Sequence, residues 1–241
     1  MAKQITTTVS VAKLVLLAAA ALPHLDAATI QAWFVEDLYS SGIQRTVGDA
    51  AGWVDTTIGL FHFQRTGGDY LGFQVSDFYS FCIEPREFVS PGSTYTYEWT
   101  ALENGTTNIG GMGTTKANLI RELFGRFHTS MWDPFDGTTA GAFQIAIWEI
   151  VRETSGTLDV GNGTTQFRNA QNPAALTQAQ NYLSALNGNG PKVDDLFAGA
   201  SGTLTVPGVQ DILFQPVSEP AGLGALGIAL LAVAHFRRYR R

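Results

Sequence analysis

The segment that decides the fold reads Ala140-Gly-Ala-Phe-Gln-Ile-Ala-Ile-Trp-Glu-Ile-Val-Arg-Glu153. Its bulky apolar residues recur at the 3–4-residue spacing of a helix, at Phe143, Ile147, Ile150 and Val151. Gln144, Trp148 and Val151 share one face of that helix. The pattern therefore predicts a primary amide on a buried stripe, where an unpaired amide costs about 1–3 kcal/mol.

The flanks of this segment predict its ends. Thr138 and Thr139 precede it and are suited to cap the first turn, and Gly156 follows as a stop. These bounds put Gln144 near the N-terminus of the helix. Taken alone, the pattern favours a core amide with satisfied hydrogen bonds.

The chain has one cysteine, Cys82, in the run Ser80-Phe-Cys-Ile-Glu-Pro85. The apolar character of residues 78–83 predicts a strand, which Pro85 ends because it cannot donate to a ladder. A single cysteine cannot form an intramolecular disulfide. An unpaired thiol is a liability in an exported protein unless it is buried or chemically used.

Together the two segments resemble the Cys–Gln internal-thioester (TQxA-type) domains of bacterial surface adhesins. In that family a strand cysteine, in an aromatic-Cys-aliphatic-acidic motif, is joined to a glutamine that opens a helix. Residues 81–84, Phe-Cys-Ile-Glu, match the first motif, and residues 143–148, Phe-Gln-Ile-Ala-Ile-Trp, match the second, Thr-Gln-x-Ala-x-Trp. Phe143 stands where the family usually has threonine. The resemblance spans about residues 75–155 and implies a bond between Cys82 and Gln144.

The chemistry that the resemblance implies is a single-use acylating bond. The cysteine sulfur displaces ammonia from the glutamine amide, and the resulting thioester acylates an amine or hydroxyl on a partner. We expect amides at the helix N-terminus to stabilise the thiolate and the oxyanion, and aromatic side chains to exclude water. The candidate neighbours of the bond are Phe81, Glu84, Phe143, Trp148 and Glu149. No cofactor and no metal are implied.

Composition and charge narrow the function classes. The 241 residues are 45% hydrophobic, enough for one domain with a sizeable core and appendages. Once the two ends, residues 1–27 and 216–241, are set aside, nine basic and nineteen acidic residues remain. The charged residues removed with the ends are Lys3, Lys13, Asp26, Glu219, Arg237, Arg238, Arg240 and Arg241. An acidic, lysine-poor body argues against nucleic-acid binding.

The order of patterns predicts an α+β fold. Residues 28–100 are mostly β in character, with strands near 53–63, 70–75, 78–83 and 95–99. Helices follow at 114–128, around Gln144, and at Pro173–Leu186 with Asn172 as its cap. Residues 204–206 and 209–214 are candidate closing strands. We expect a β-rich, sandwich-like or barrel-like body over residues 28–215, with about three inserted helices.

The N-terminal residues 1–27 have the pattern of a secretory signal peptide. Lys3 and Lys13 precede a short apolar run, Leu14–Leu22, and Ala27 is a suitable cleavage site. The apolar run is too short for a membrane span to be favoured.

The C-terminal residues 216–241 resemble the PEP-CTERM sorting signal, which an exosortase recognises. A short proline motif leads into an apolar run and an arginine cluster, with Ser218 in place of the first proline. The apolar run predicts a membrane-anchor helix with its arginines on the cytoplasmic side. The sorting residues are Val217, Glu219, Pro220, Arg237 and Arg238. The resemblance implies a Gram-negative bacterium with an exopolysaccharide-linked export system, and a body carried through the inner membrane to the cell envelope, surface or matrix.

Three functions remain open from sequence. The first is covalent attachment to a surface protein or polysaccharide-associated target. The second is an inert envelope or matrix protein with a buried cysteine. The third is a cysteine acyl-transfer enzyme, which would need His62 or His128 beside the thiol, although neither lies in a catalytic motif. The aspartates in loops do not form a calcium-loop pattern.

Overall fold

A computed structural model describes residues 28–47, 50–69, 76–131, 133–201 and 208–216. The signal peptide and the sorting tail expected at the ends lie outside these residues, as do the strands expected at 70–75 and 204–206. No helix among the described residues has both the length and the apolarity needed to cross a bilayer.

The structure confirms the α+β fold. The described strands are β1 (Thr29–Val47), β2 (Ala50–Gly67), β3 (Asp77–Cys82), β4 (Thr94–Ala101), β5 (Phe167–Arg168), β6 (Phe197–Ala200) and β7 (Ile212–Phe214). The described helices are α1 (Gly113–Phe127), α2 (Gly137–Arg152) and α3 (Pro173–Ala185). Short 3-10 turns lie at Leu102–Asn104 and Thr107–Ile109, between β4 and α1.

Six of these strands form a closed antiparallel barrel. The order runs β2-β3-β7-β6-β4-β1, and β1 pairs again with β2 to close the ring, while β5 adds a short pair to β1. One cluster of buried side chains fills the barrel, consisting of Ile30, Ala32, Phe34, Phe63, Phe78, Tyr97, Ile212 and Phe214. A second, larger cluster lies between the sheet and the helices.

The sequence pattern located no strand at β1, although it gave residues 28–100 a general β character, and it missed β5 and β6. Strand β5 has only two residues, too few for a periodic pattern. Strand β6 reads Phe-Ala-Gly-Ala, which lacks the β-branched residues typical of strands. Its small residues are needed because a Cβ on Gly199 would lie 2.2 Å from the Phe214 ring.

Helix α2 is the central element, and every residue from Ala140 to Arg152 is buried. The predicted buried stripe is therefore only part of the buried surface, because β1, β2 and β3 cover the helix on one side and α1 and α3 on the other. Polar groups on any face of α2 consequently need partners within the protein.

The predicted ends of α2 were wrong. Asp136, not a threonine, is the N-cap, and its Oδ1 accepts the N–H groups of Thr138 and Thr139 at 2.9 and 2.7 Å. The helix ends at Arg152 without a glycine. Gln144 thus lies about two turns inside the helix, away from the free amides of its first turn. For α3, by contrast, the Asn172 cap predicted from sequence is confirmed.

Replacing Asp136 by alanine is expected to lower the free energy of unfolding by about 1 kcal/mol, because two N–H groups of α2 lose their acceptor. Asp136→Asn keeps an acceptor oxygen and should retain most of that stability. Urea denaturation of the purified chain measures both values. An Asn variant as unstable as the Ala variant would contradict a hydrogen-bonding cap.

Candidate functional site

The side chain of Gln144 is clamped onto the backbone of Cys82. Gln144 Oε1 accepts the Cys82 N–H at 3.0 Å, and Gln144 Nε2 donates to the Cys82 carbonyl at 2.8 Å. Both residues are buried, with Gln144 1% exposed and Cys82 fully enclosed. The structure thus brings together two groups that are 62 residues apart in sequence.

The clamp replaces the ladder hydrogen bonds that Cys82 does not make with β2. The ladder between β2 and β3 ends at the pair Phe61–Ser80, two residues before Cys82, although β2 itself continues to Ala50. The next residue, Ile83, donates instead to Asp211 beside β7, on the other edge of β3. Because N–H and C=O groups of alternate residues point to the same edge, Cys82 has none of its ladder partners on the β2 side. The amide of Gln144 has the donor and acceptor of a peptide group and satisfies both.

The sulfur of Cys82 faces two side-chain N–H donors. Trp148, one turn after Gln144 on the same face of α2, donates its indole N–H to Sγ at 3.2 Å. Gln210, just before β7, donates its Nε2 hydrogen to the same atom. The helix turn that clamps the cysteine backbone therefore also contacts its thiol.

Burial raises the pKa of the Cys82 thiol far above its usual value. The hydrogen bond from Trp148 acts in the opposite direction, since it favours the thiolate. Burial has the larger effect, so the free cysteine is a neutral thiol in the folded protein. The N–H donors are directed at an atom that is uncharged at rest and would carry charge in a reaction.

Charged side chains hold the segment that follows Cys82. Glu84 is fully buried and pairs with Arg152, whose guanidinium also donates to Asn108 at 3.0 Å. Arg45 donates to the Pro85 carbonyl and lies over the Trp148 ring, 5.3 Å from its centroid. Glu84 thus acts on the site through the backbone it fixes.

Phe81 and Phe143 belong to an aromatic cluster beside the site. Their rings stack with centroids 5.9 Å apart, and both also contact Phe124 and Phe135. Both are fully buried. They seal the sheet–helix interface near the clamp, whereas Trp148 is the aromatic residue that touches the sulfur.

Glu149 forms its hydrogen bond with the loop after α2 and not with Cys82. Its Oε1 accepts the Asp159 N–H at 2.9 Å, which fixes the loop after α2. Burial raises the pKa of Glu149 to about 8. The same loop donates N–H groups of Ser155, Thr164 and Thr165 to Glu153, and these bonds lower the pKa of Glu153 to about 2 although burial opposes them.

The two histidines of the described residues lie outside the site. His62 is on the barrel surface, with Glu36 at 3.6 Å and Asp77 at 3.2 Å. His128 packs on Phe135, and burial lowers the pKa of its imidazole. Neither ring hydrogen-bonds to Cys82, so the described residues contain no Cys–His pair of the kind a cysteine hydrolase uses.

A narrow cavity of about 70 Å³ leads to the clamp. It runs from Phe88, which is 65% exposed, to Gln144, Trp148 and Gln210. Asp37 also lines it. This space holds about two water molecules, and a slender group could reach the Gln144 carboxamide through it.

The described residues contain no group of three or more His, Cys, Asp or Glu side chains arranged to hold a metal ion.

Sequence reasoning missed Gln210, Arg45 and Arg152. Gln210 acts on a residue 128 positions away, and the partner of Arg152 is 68 positions away. No local spacing marks such pairs. The one available signal was the run Val209–Phe214, whose strand lies next to the cysteine strand.

Comparison with known proteins gave one likeness among solved structures. No protein-family model and no curated protein matches the chain. The chain is similar to the N-terminal thioester domain of a surface protein from Clostridium perfringens, with a TM-score of 0.38 and 10% sequence identity, over 77% of this chain and 97% of that one. A likeness at this level establishes neither a shared fold nor a shared function.

Glu149→Gln is expected to remove a pH-dependent loss of stability. The folded state keeps the Glu149 proton up to about pH 8, whereas the unfolded chain loses it near 4.5. Stability from this group is therefore complete below 4.5 and is lost as the pH rises through 8. Between about pH 5 and pH 8, the variant should gain on the order of 2–4 kcal/mol relative to the wild type.

Urea denaturation at the two pH values measures this gain. Glu98→Gln, at an exposed strand position, is the control and should leave the pH dependence unchanged. Equal pH dependence in Glu149→Gln and the wild type would contradict a protonated Glu149.

Proposed function

We propose that this chain is an exported surface protein in which Cys82 and Gln144 condense to an internal thioester that attaches the protein covalently to a partner. The observation that carries the proposal is the clamp. It holds the carboxamide against the residue that bears the thiol, with N–H donors on both the oxygen and the sulfur.

Bond formation exchanges one C–N bond for one C–S bond. The Cys82 sulfur attacks Cδ of Gln144, and charge develops on Oε1, which already accepts the Cys82 N–H at 3.0 Å. The C–N bond then breaks, and Nε2 leaves as ammonia with the proton of the thiol. This donor is the backbone of Cys82 itself, in place of the helix-terminal amides expected from sequence.

In the transfer step, the Cys82 sulfur is the leaving group and the partner supplies the nucleophile. An amine or hydroxyl on the partner attacks the same carbonyl carbon, and the Cys82 N–H again stabilises the oxyanion. The C–S bond breaks, and the departing thiolate meets the N–H groups of Trp148 and Gln210 before it takes a proton. The product is a covalent link through Gln144 and a free thiol, so the bond acts once.

Burial favours a stored bond. Water hydrolyses a thioester and wastes it, and Cys82 is fully enclosed while Trp148 is 2% exposed. The cavity at Gln144 is the described approach for a nucleophile, and it is narrow. A site of this shape lets a slender partner group in and keeps bulk solvent out.

The proposed location rests on the sequence ends. Residues 1–27 would direct export through the inner membrane, and residues 216–241 would anchor the chain there until an exosortase-type enzyme sorts it to the envelope, surface or matrix. The covalent target would be a surface protein or a polysaccharide-associated molecule.

Intact-mass measurement tests the proposal. The purified protein should be lighter than its sequence by one ammonia, because condensation releases Nε2, and Cys82→Ala and Gln144→Ala should restore the full mass. Methylamine should add to the wild type at Gln144 and free the thiol.

Gln180→Ala is the matched control, since Gln180 also binds a backbone N–H, that of Val160, far from the cysteine. This variant should keep the mass deficit. A wild type with its full mass and no methylamine adduct would leave the inert envelope protein as the function, and turnover of an acyl substrate would indicate an enzyme.

A further inference from the structure

The cavity at the clamp contains one acidic side chain, that of Asp37 on β1. Gln144, Trp148 and Gln210 line the same space, which is about 70 Å³. A group that binds in this small cavity against Gln144 therefore enters a space that Asp37 also lines.

Two irregularities of the β1–β2 ladder flank Asp37. The register shifts between Phe34 and Glu36, and again between Leu38 and Ser41, so residues 36–38 form a short regular stretch between two bulges. Bulges bend a strand and redirect its side chains. The two bulges explain why Asp37, which pairs with Phe61, lines a cavity beside the core.

The carboxylate of Asp37 has no hydrogen-bond or ion-pair partner among the described residues. No described side chain or backbone N–H hydrogen-bonds or ion-pairs with it, whereas Asp55, on the same hairpin, accepts from Gln44 at 2.9 Å. Burial raises the pKa of Asp37, which makes its carboxylate a better proton acceptor than an exposed one. A half-buried carboxylate without a cation is suited to receive one.

The size and the acidic lining of the cavity fit the end of a lysine side chain. Phe88, an exposed lining residue, provides an apolar surface for methylene groups. The ammonium group would then lie between Asp37 and the carbonyl of Gln144. An alcohol brings no positive charge for Asp37 to bind.

We propose that Asp37 is the proton acceptor that makes the thioester selective for a cationic primary amine, such as the ammonium group of a lysine on the partner. This role rests on the proposed function, since it requires the thioester. An ammonium ion has no lone pair, so it cannot attack until it loses a proton.

Two protons leave the ammonium nitrogen during the transfer. Asp37 takes one proton from the ammonium ion, and the neutral amine attacks the thioester carbon. A C–N bond forms and the C–S bond breaks. The second proton of the nitrogen goes to the Cys82 thiolate, which becomes a thiol again. Asp37 then returns its proton to solvent.

Two small nucleophiles separate this role from a structural one. Methylamine is a cation at neutral pH and must lose a proton, whereas hydroxylamine is already uncharged. The rate of adduct formation at Gln144 is measured by intact mass over time. With methylamine, this rate should be at least about tenfold lower in Asp37→Asn than in the wild type. With hydroxylamine, the rates of this variant and the wild type should agree within about twofold. Asp37→Glu should keep the methylamine reaction.

Asp55→Asn is the matched control and should react like the wild type with both reagents. Equal slowing of both reagents in Asp37→Asn, or no slowing of either, would overturn the role of Asp37. The mass of each protein is measured before reagent is added. A wild type that lacks the ammonia deficit has not formed the thioester, and this result contradicts the proposed function rather than the role of Asp37. If Asp37→Asn lacks the deficit, Asp37→Ser replaces it, and absence of the deficit from both would also overturn the proposal.

Discussion

The structure depends on one pair of hydrogen bonds, between the Gln144 carboxamide and the backbone of Cys82. The β2–β3 ladder ends before Cys82 although β2 itself continues to Ala50, so the buried N–H and C=O of Cys82 have no ladder partner on β2. A side-chain amide supplies both partners at once and ties α2 to the end of β3. The same contact that completes the sheet puts an electrophilic carbon next to the only cysteine, so structural and chemical roles arise from one geometry.

The burial of α2 on all sides sets the conditions for that chemistry. Each polar group on the helix needs an internal partner, and Gln144, Glu149 and Arg152 each find one on a different segment. These bonds anchor the strand end, the following loop and the segment after Cys82. The site is consequently well supported and largely enclosed, and its described access is the cavity lined by Asp37. Such support and restricted access both favour a bond that is stored and then used once.

Sequence patterns predicted the helices well because helical periodicity is a local property. Asn172 and Pro173 marked the start of α3 correctly, whereas the start of α2 was misplaced because Asp136 competes with two nearby threonines as a cap. Glu149 was expected beside the thioester bond, yet its buried carboxylate accepts an N–H group from the loop that packs on the outer face of α2. Asp37 had no local signal, and Gln210 had only its place in the apolar run Val209–Phe214. Their positions follow from the closure of the barrel and from two bulges, which are properties of strand pairing between distant segments.

A crystal structure of the protein, purified without reductant or amine buffers, tests the central claim most directly. We expect continuous electron density from Cys82 Sγ to Gln144 Cδ, no density for Nε2, and the Cys82 N–H still bonded to Oε1. Separate density for a thiol and an intact carboxamide, with Nε2 bound to the Cys82 carbonyl in every copy, would contradict the thioester and leave the clamp as a purely structural contact.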